Sequence, residues 1–213
     1  MNLKYLAAYF FTISLVILSA QPFTVSAHRQ DNENVGAEGT EKPLFKKAGA
    51  NGGNACYVYK QYVVMTITSG DVGEDISIYK RNGATDAQQE CDSAGQTPYM
   101  SLKNGGESYF YGITGNKFLV DSGTSAGIRG LDIVSLTTKK VVFSTKYQND
   151  IKVFGNTIVY SKPSQTKGLL KNCPSAKKWR KEGGGVGWAH PTKIDLTTLK
   201  ETSAGRLACV YVE

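Results

Sequence analysis

The chain has 213 residues, with 25 Lys and Arg against 18 Asp and Glu, which gives a formal net charge of +7. This length allows one core-bearing domain, and the modest positive excess favours acidic partners without identifying one. With only two histidines and no Cys-x-x-Cys pair, the composition argues against a structural zinc site, and we expect neither a metal nor a cofactor.

The first 27 residues predict an export signal. Lys4 is the single charge among them, and an apolar run from Tyr5 to Ala20 follows it. Val25-Ser26-Ala27 then supplies the small residues that a signal peptidase needs. Because the apolar run is shorter than the roughly 20 residues of a bilayer span, we expect cleavage after Ala27 rather than a retained anchor. The mature chain is then periplasmic or secreted, without stable membrane insertion.

Residues 28–54 predict a flexible charged leader. Charged side chains and glycines are frequent here, and apolar residues are too sparse to compensate the entropy lost on ordering. We therefore expect the β-rich domain to occupy residues 55–213.

Beyond Ala55, short runs of β-branched and aromatic residues alternate with Gly- and Asn-containing turns, which is the pattern of antiparallel strands. The predicted strands are Tyr57–Thr68, Ile76–Lys80, Ser108–Ile113, Lys117–Asp121, Leu131–Leu136, Val141–Thr145, Thr157–Lys162 and Leu207–Val212. Turns are predicted at Arg81–Gly83, Asn104–Gly106, Gly115-Asn116 and Gly155-Asn156. The nearest approach to a helical pattern is Ser175–Lys181, which runs into three glycines.

One weak repeat is visible in this region. Val134–Lys140 (VSLTTKK) reappears 60 positions later as Ile194–Lys200 (IDLTTLK), and Ile76–Lys80 with the turn after it is a looser copy. Such hairpins are typical of the outer edges of β-propeller blades, although the chain is short for a closed ring. We predict an all-β fold, a partial or distorted β-propeller-like array of small antiparallel sheets. An ordinary β-sandwich is the alternative.

Four cysteines in the exported part predict two disulfides, because an even count in an oxidising compartment is typical of such bonds. They are Cys56, Cys91, Cys173 and Cys209. Three connectivities are possible. We favour Cys56–Cys91 and Cys173–Cys209, because each pair brackets a segment that predicts strands joined by turns.

Phe118–Ser125 (FLVDSGTS) is the sharpest catalytic-looking string and resembles the aspartic protease signature. Those proteases need two carboxylates that share a proton, so a single Asp121 would require a dimer. Gly123–Gly127 also matches G-x-S-x-G, but a nucleophile elbow leads into a helix and the next residues predict a strand. A strand followed by a glycine-rich loop is the ordinary interpretation, and we expect no enzymatic activity.

Positive charge is concentrated late in the chain, since eight basic residues and no Asp or Glu lie between Ile151 and Lys181. Lys177-Lys178-Trp179-Arg180-Lys181 places one aromatic residue among four cations. Such a patch suits an acidic protein surface, an anionic glycan or a phospholipid, and we expect no nucleic acid. A solvated basic loop is the ordinary interpretation.

Gly115–Val120, Ser122–Ala126, Asp132–Leu136, Val141-Val142 and Asn172-Cys173 together resemble one known family. It comprises the periplasmic immunity proteins that neutralise peptidoglycan amidases delivered by type VI secretion. The resemblance implies that a serine-bearing loop between β-strands enters the amidase active site, a role that would fall on Ser122, Thr124 and Ser125. The charged leader and the basic segment from Lys162 to Lys181 depart from that family.

We therefore predict an exported, non-enzymatic binding protein with a protein partner, in its most concrete form an inhibitor of a cell-wall hydrolase. A rigid two-stranded base would present the loop pre-ordered, which lowers the entropic cost of inserting it into a cleft. The alternatives are a dimeric aspartic protease-like hydrolase using Asp121 and a polyanion-binding surface module. The predicted binding residues are Ser122, Gly123, Thr124, Ser125, Arg129, Lys177, Lys178, Trp179 and Arg180.

Overall fold

The computed structural model describes residues 38–48, 54–68, 72–83, 86–92, 97–103, 107–123, 127–166 and 168–212. The predicted export signal and the first part of the leader lie outside these residues. The strands are β1 Phe45–Ala48, β2 Asn54–Val58, β3 Tyr62–Thr68, β4 Glu74–Lys80, β5 Met100–Leu102, β6 Ser108–Thr114, β7 Lys117–Ser122, β8 Arg129–Ser135, β9 Lys140–Phe154, β10 Thr157–Pro163, β11 Gly185–Asp195, β12 Glu201–Ser203 and β13 Ala208–Val212. Two short helices, α1 Ala87–Asp92 and α2 Ala176–Lys181, accompany them.

The strands form two antiparallel sheets, which confirms the predicted all-β class. One sheet has the order β1-β2-β3-β4-β5, and the other has the order β12-β11-β10-β9-β8-β7-β6, with β13 added beside β11. The long strand β9 serves two neighbours, because its first half pairs with β8 and its second half with β10. Asn149 marks the change of direction, with a φ of 64°. The sheets do not close on themselves, and the propeller-like part of the prediction stays a prediction.

Three successive hairpin units share one hydrogen-bond pattern. Unit 1 is β2–β4, unit 2 is β6–β8, and unit 3 is the second half of β9 with β10 and β11. In each, the residue after the third strand donates its amide to the last carbonyl of the first turn. These bonds are Arg81 N to Gln61 O at 3.0 Å, Leu136 N to Asn116 O at 2.9 Å, and Leu196 N to Asn156 O at 2.9 Å.

The weak sequence repeat corresponds to the second turn of units 2 and 3. Lys139 and Leu199 occupy the same place in these turns and have φ values of 59° and 56°. The first turns, Gly115-Asn116 and Gly155-Asn156, are 40 positions apart, whereas the second turns are 60 apart. Unit 3 is longer because its strands are longer and because residues 164–184 replace the short connection 123–128 of unit 2. The irregular spacing therefore comes from a longer connection and longer strands within a repeated unit.

Residues 38–44 form a strap across the first strands of all three units. Glu38, Glu41 and Leu44, three positions apart, each make one main-chain bond to a different unit. The bonds are Val153 N to Glu38 O at 2.6 Å, Glu41 N to Ile113 O at 2.8 Å, and Leu44 N to Val58 O at 2.7 Å. Val153, Ile113 and Val58 are equivalent positions in the three units. Each lies three residues before the residue whose carbonyl accepts the bond described above, namely Asn156, Asn116 and Gln61. The strap thus links the three units through main-chain hydrogen bonds at the same position in each first strand.

The predicted leader boundary is therefore wrong for the residues after Glu38. The strap and β1 belong to the folded unit, since β1 pairs with β2 along its whole length. The ordered strap could not be predicted from the sequence, because its side chains are largely polar and main-chain hydrogen bonds hold it in place. Sparse apolar residues predict disorder only when the backbone finds no partner elsewhere.

Two main cores lie between neighbouring units. Phe110, Phe118 and Val120 of unit 2 pack against Tyr57 and Ile78 of unit 1. Leu119, Leu131 and Ile133 of unit 2 pack against Ile158 and Ile194 of unit 3. Successive side chains of β7 point to opposite faces, so unit 2 is covered on both sides. This explains the unbroken apolar run Phe118-Leu119-Val120.

Both favoured disulfides are confirmed. Cys56–Cys91 joins β2 to α1 with a Cα–Cα distance of 6.0 Å, and Cys173–Cys209 joins the 164–184 connection to β13 at 5.7 Å. Disulfides of this kind indicate an oxidising compartment. Among the residues that the structure describes, no helix has the length and apolar character needed to cross a membrane.

Several local predictions are refined by the structure. The predicted strand Tyr57–Thr68 is two strands, β2 and β3, separated by a turn. The helical pattern near Ser175–Lys181 forms α2, whereas α1 was not predicted. The turn predicted at Asn104–Gly106 lies outside the described residues.

Candidate functional site

The predicted binding loop leaves β7 after Ser122 and returns into β8 at Arg129. Ser122 and Gly123 are half-buried, and the Gly123 amide donates to the Glu107 carbonyl at 2.8 Å. The Ser122 hydroxyl lies against Gly130, where a Cβ atom would collide with it. Thr124 and Ser125 lie outside the described residues. The ends of the loop are therefore fixed to the scaffold.

A buried ion pair closes the base of this loop. Arg129 Nε donates to both carboxylate oxygens of Asp121, at 2.9 and 3.1 Å, and Arg129 Nη2 donates to the same carboxylate. The Tyr147 hydroxyl donates to Asp121 Oδ1 at 2.6 Å. Asp121 is only 4% exposed, so this carboxylate is held by donors from two neighbouring strands.

The protonation of the network follows from burial and charge. Burial, followed by the charge of Asp121, raises the pKa of Tyr147 far above its usual value. The same two causes raise the pKa of Tyr111 to about 12. Burial alone would lower the pKa of Arg129, but its hydrogen bond and charge interaction with Asp121 outweigh that effect and raise it. Both tyrosines therefore stay neutral and Arg129 stays charged at physiological pH.

Arg129 and Asp121 consequently have a positioning role in the structure. The Arg129 side chain, only 22% exposed, is directed to Asp121 and lies 5.9 Å from the Tyr109 ring centroid. The structure therefore places Arg129 under the predicted loop rather than at its tip. An ion-paired carboxylate of this kind differs from the proton-sharing carboxylates of an aspartic protease.

The predicted basic cluster lies on α2 in the 164–184 connection. Lys177, Lys178 and Arg180 are exposed, whereas Trp179 is half-buried. The Trp179 ring lies 6.1 Å from that of Tyr211, edge to face, and packs on the cluster around the Cys173–Cys209 disulfide. Trp179 therefore anchors the helix, and the cations around it form the exposed surface. Lys178 has Glu182 as an ion-pair neighbour at 3.9 Å.

The strands that flank the loop and those that flank the basic connection both border the middle of β9. Both join the second strand of a unit to its third, so each lies at the end opposite the tight turns. Tyr147 pairs with Arg129 at the loop base, and the adjacent Gln148 pairs with Ser161 near the end of β10. The Gln148 amide also lies beside Gly187, shortly after α2. The strands that carry the two predicted binding segments are thus neighbours of the same part of β9.

Two of the eight basic residues noted in the sequence are committed to ion pairs elsewhere. Lys152 pairs with Glu38 of the strap at 2.6 Å, and Lys162 pairs with Glu201. The remaining described cations of this segment lie in the 164–184 connection. The positive patch is therefore smaller and more localised than the sequence count indicates.

Glu201 joins the edge strand β12 to β10. Burial by itself would raise the pKa of Glu201, but hydrogen bonds from Lys162 and Tyr160 and the charge of Lys162 outweigh it and lower this pKa. A carboxylate with a lowered folded-state pKa adds stability above its unfolded-state pKa, and this stability is lost as the pH falls through the folded value.

We expect Glu201→Gln to lower the free energy of unfolding at pH 7 and to have little effect in acid. The difference from wild type should begin to shrink as the pH falls below about 4.5, the ordinary pKa of this carboxyl group in the unfolded chain, and should vanish only below the lower folded-state pKa. Urea unfolding of both proteins from pH 7 down to about pH 3 measures this difference. A difference that stays constant across the range would contradict the role assigned to the charge.

A cavity that sequence analysis did not predict lies at the turn end of unit 1. It has a volume of about 530 Å³ and is lined by Lys60, Gln61, Tyr62, Lys80, Arg81 and Gly83. A smaller cavity of about 300 Å³ adjoins it and extends towards Glu41 and Asn116. The lining comes from two separate turns, and no local sequence motif indicates that they meet.

The comparisons with known proteins identify no relative. No protein-family model matches the chain, and neither a curated protein nor a solved structure matches it significantly.

Proposed function

We propose that this is an exported, non-enzymatic binding protein that engages a protein partner through residues 122–130 and the neighbouring basic helix α2. The observation that carries the proposal is the pinned base of the loop, in which Asp121 holds Arg129 and Tyr147. A loop rising from a fixed base loses little entropy on insertion into a cleft, so more of its contact energy becomes binding energy.

The charge pattern supports an acidic partner surface. Lys177, Arg180 and Lys181 are exposed on α2, in a connection that joins the second and third strands of its unit, as the loop does in unit 2. Complementary charge at the rim of an interface accelerates association and orients the partner, while the central loop supplies specificity. In this proposal α2 attracts and orients the partner, and the loop provides specificity.

The most concrete form of this function is inhibition of a secreted peptidoglycan amidase in the periplasm. The resemblance of Ser122–Ala126 and its flanking strands to amidase immunity proteins motivates this choice. In that form, the loop would occupy the cleft of the hydrolase, and Ser122, Thr124 and Ser125 would be the inserted residues. The disulfides suit such an extracytoplasmic site of action.

Replacing residues 124–127 by Gly-Ser-Gly-Ser is expected to abolish inhibition without unfolding the protein. The assay measures inhibition of purified peptidoglycan amidases on labelled peptidoglycan, together with their binding to the immobilised protein. We expect wild type to bind at least one amidase and the exchange to weaken that binding at least 100-fold, because contacts at the centre of an interface dominate affinity.

The matched control is the double variant Thr137→Ala and Thr138→Ala. Both residues are exposed in the second turn of unit 2, at the opposite end of the strand that carries Arg129. This variant should bind within about twofold of wild type, as expected for a surface position outside an interface. Full inhibition by the loop-exchanged protein, or no amidase bound by wild type, would refute the proposal.

A polyanion-binding module is the second candidate, favoured by the exposed cations of α2. Lys177→Gln combined with Lys178→Gln separates the two functions. If the protein is a polyanion-binding module, this variant should elute from an anionic column at lower salt than wild type. If the protein is an amidase inhibitor, the variant should mainly associate more slowly with the amidase.

A further inference from the structure

The cavity at the turn end of unit 1 has a cationic rim. Lys60 and Lys80 line it, and both are exposed. Among the residues that the structure describes, neither lysine forms an ion pair with a carboxylate. The third cation of the lining, Arg81, donates to Glu90 of α1 at 2.8 Å. The described lining contains no carboxylate.

Tyr99 brings a fourth cation close to this cavity. The Lys80 ammonium lies 4.7 Å from the Tyr99 ring centroid, and the Lys139 ammonium of unit 2 lies 3.9 Å from it. Both cations gain from the electron-rich ring. Lys60, Lys80 and Lys139 together give this end of the molecule a positive charge that favours an anion.

The walls of the cavity are held in place by the fold. Lys80 and Tyr62 are direct partners across β3 and β4, and the Arg81 amide donates to the Gln61 carbonyl at 3.0 Å. The Tyr99 hydroxyl donates to the Leu136 carbonyl at 2.8 Å, which links units 1 and 2 beside the cavity. The backbone that carries these groups is therefore fixed, and mainly the exposed lysine side chains must be ordered when a ligand binds.

The size and the lining indicate a small hydroxylated ligand. A volume of about 530 Å³ lies within the range of small-molecule sites. Tyr62 contributes an apolar ring with a hydroxyl group, and Gln61 contributes an amide that can donate and accept. Lysines bind oxyanions as point charges with three donors each.

We propose that this cavity is a binding site for a small hydroxylated ligand that carries a carboxylate or a phosphate group, the chemistry of an acidic sugar. The oxyanion lies between Lys60 and Lys80, and the hydroxylated part lies over Tyr62 and Gln61. The site is at the opposite end of the strands from residues 122–130. It is therefore independent of the proposed partner-binding surface, and a failure of one leaves the other intact.

The test uses the mature protein and four ligands: glucuronate, glucose 6-phosphate, glucose and inorganic phosphate. Binding is followed by amide chemical-shift changes during titration. We expect saturable binding of the two acidic sugars with Kd of about 0.1–1 mM, a typical range for a small ligand. Glucose and inorganic phosphate should bind at least tenfold more weakly, because each offers only half of the contacts.

The decisive variant is Lys60→Gln with Lys80→Gln, and the matched control is Lys193→Gln with Lys200→Gln, two exposed lysines of unit 3 outside both proposed binding sites. Both pairs remove two exposed lysines and the same charge, so their thermal stabilities should be similar. The first pair should weaken acidic-sugar binding at least tenfold, and the control should leave it within twofold. The proposal would be overturned if both double variants lost acidic-sugar binding equally, or if no titration saturated at 10 mM ligand. It would also be overturned if glucose bound as tightly as the acidic sugars, or if inorganic phosphate bound as tightly as glucose 6-phosphate.

Discussion

Gly39→Ala is expected to lower the free energy of unfolding by about 3 kcal/mol or more, a large effect for one methyl group. Gly39 has a φ of 90°, and a Cβ atom there would overlap the carbonyl oxygen of Val153 and lie 2.8 Å from its carbonyl carbon. The neighbouring bond from Val153 N to Glu38 O would have to break to relieve this overlap. The strap would then lose its contact with unit 3.

Gly83→Ala is the matched control for this experiment. Gly83 has a φ of 81°, close to that of Gly39, but an added Cβ atom meets nothing within 4 Å. Its cost should be only the strain of a left-handed alanine, about 1–2 kcal/mol. Urea unfolding with intact disulfides measures both variants. If the two alanines cost the same, the strap is not a packed part of the native state.

The second large effect is expected for Asp121→Ala, which should cost about 3–5 kcal/mol. Its removal leaves the Arg129 guanidinium largely buried without its counter-ion, and the Tyr147 hydroxyl loses its acceptor. Breaking one side of a buried pair costs more than removing both sides, because the remaining charge stays desolvated. Asp121→Ala with Arg129→Leu should therefore recover part of the loss.

Asp132→Ala serves as the control for Asp121→Ala. Asp132 lies on the adjacent strand β8, is more exposed, and accepts a hydrogen bond from Ser144. A surface change of this kind should cost about 0.5 kcal/mol or less. Thermal and urea unfolding of the four proteins provide the comparison. Native-like stability of Asp121→Ala would mean that the ion pair does not hold the loop base.

The Asp121 variants also separate two functional hypotheses. An aspartic protease-like hydrolase predicts that Asp121→Asn abolishes a peptidase activity. The positioning role predicts instead that Asp121→Asn destabilises the protein and weakens partner binding through the loop. The bidentate contact with Arg129 favours the second outcome, because an amide cannot replace both accepting oxygens.

Local patterns predicted much of the fold. Runs such as Lys117–Asp121 and Thr157–Lys162 predicted strands within one or two residues, because side-chain type and neighbouring glycines decide extended structure locally. The disulfide pairing was also accessible, since each cysteine pair brackets a local group of elements. Trp179 was misleading, because an aromatic residue among cations has the same sequence pattern whether it is exposed or anchors a helix.

By itself, the amino-acid sequence determined the all-β class, most of the hairpin strands and the two disulfides. Only the tertiary structure decided that the strap is ordered, that Arg129 faces Asp121, and that the Lys60 and Lys80 turns together line an open cavity. The first group depends on interactions within a hairpin or on the pairing of a few cysteines. The second depends on main-chain and charged groups from distant segments, and their contacts have no periodicity along the chain.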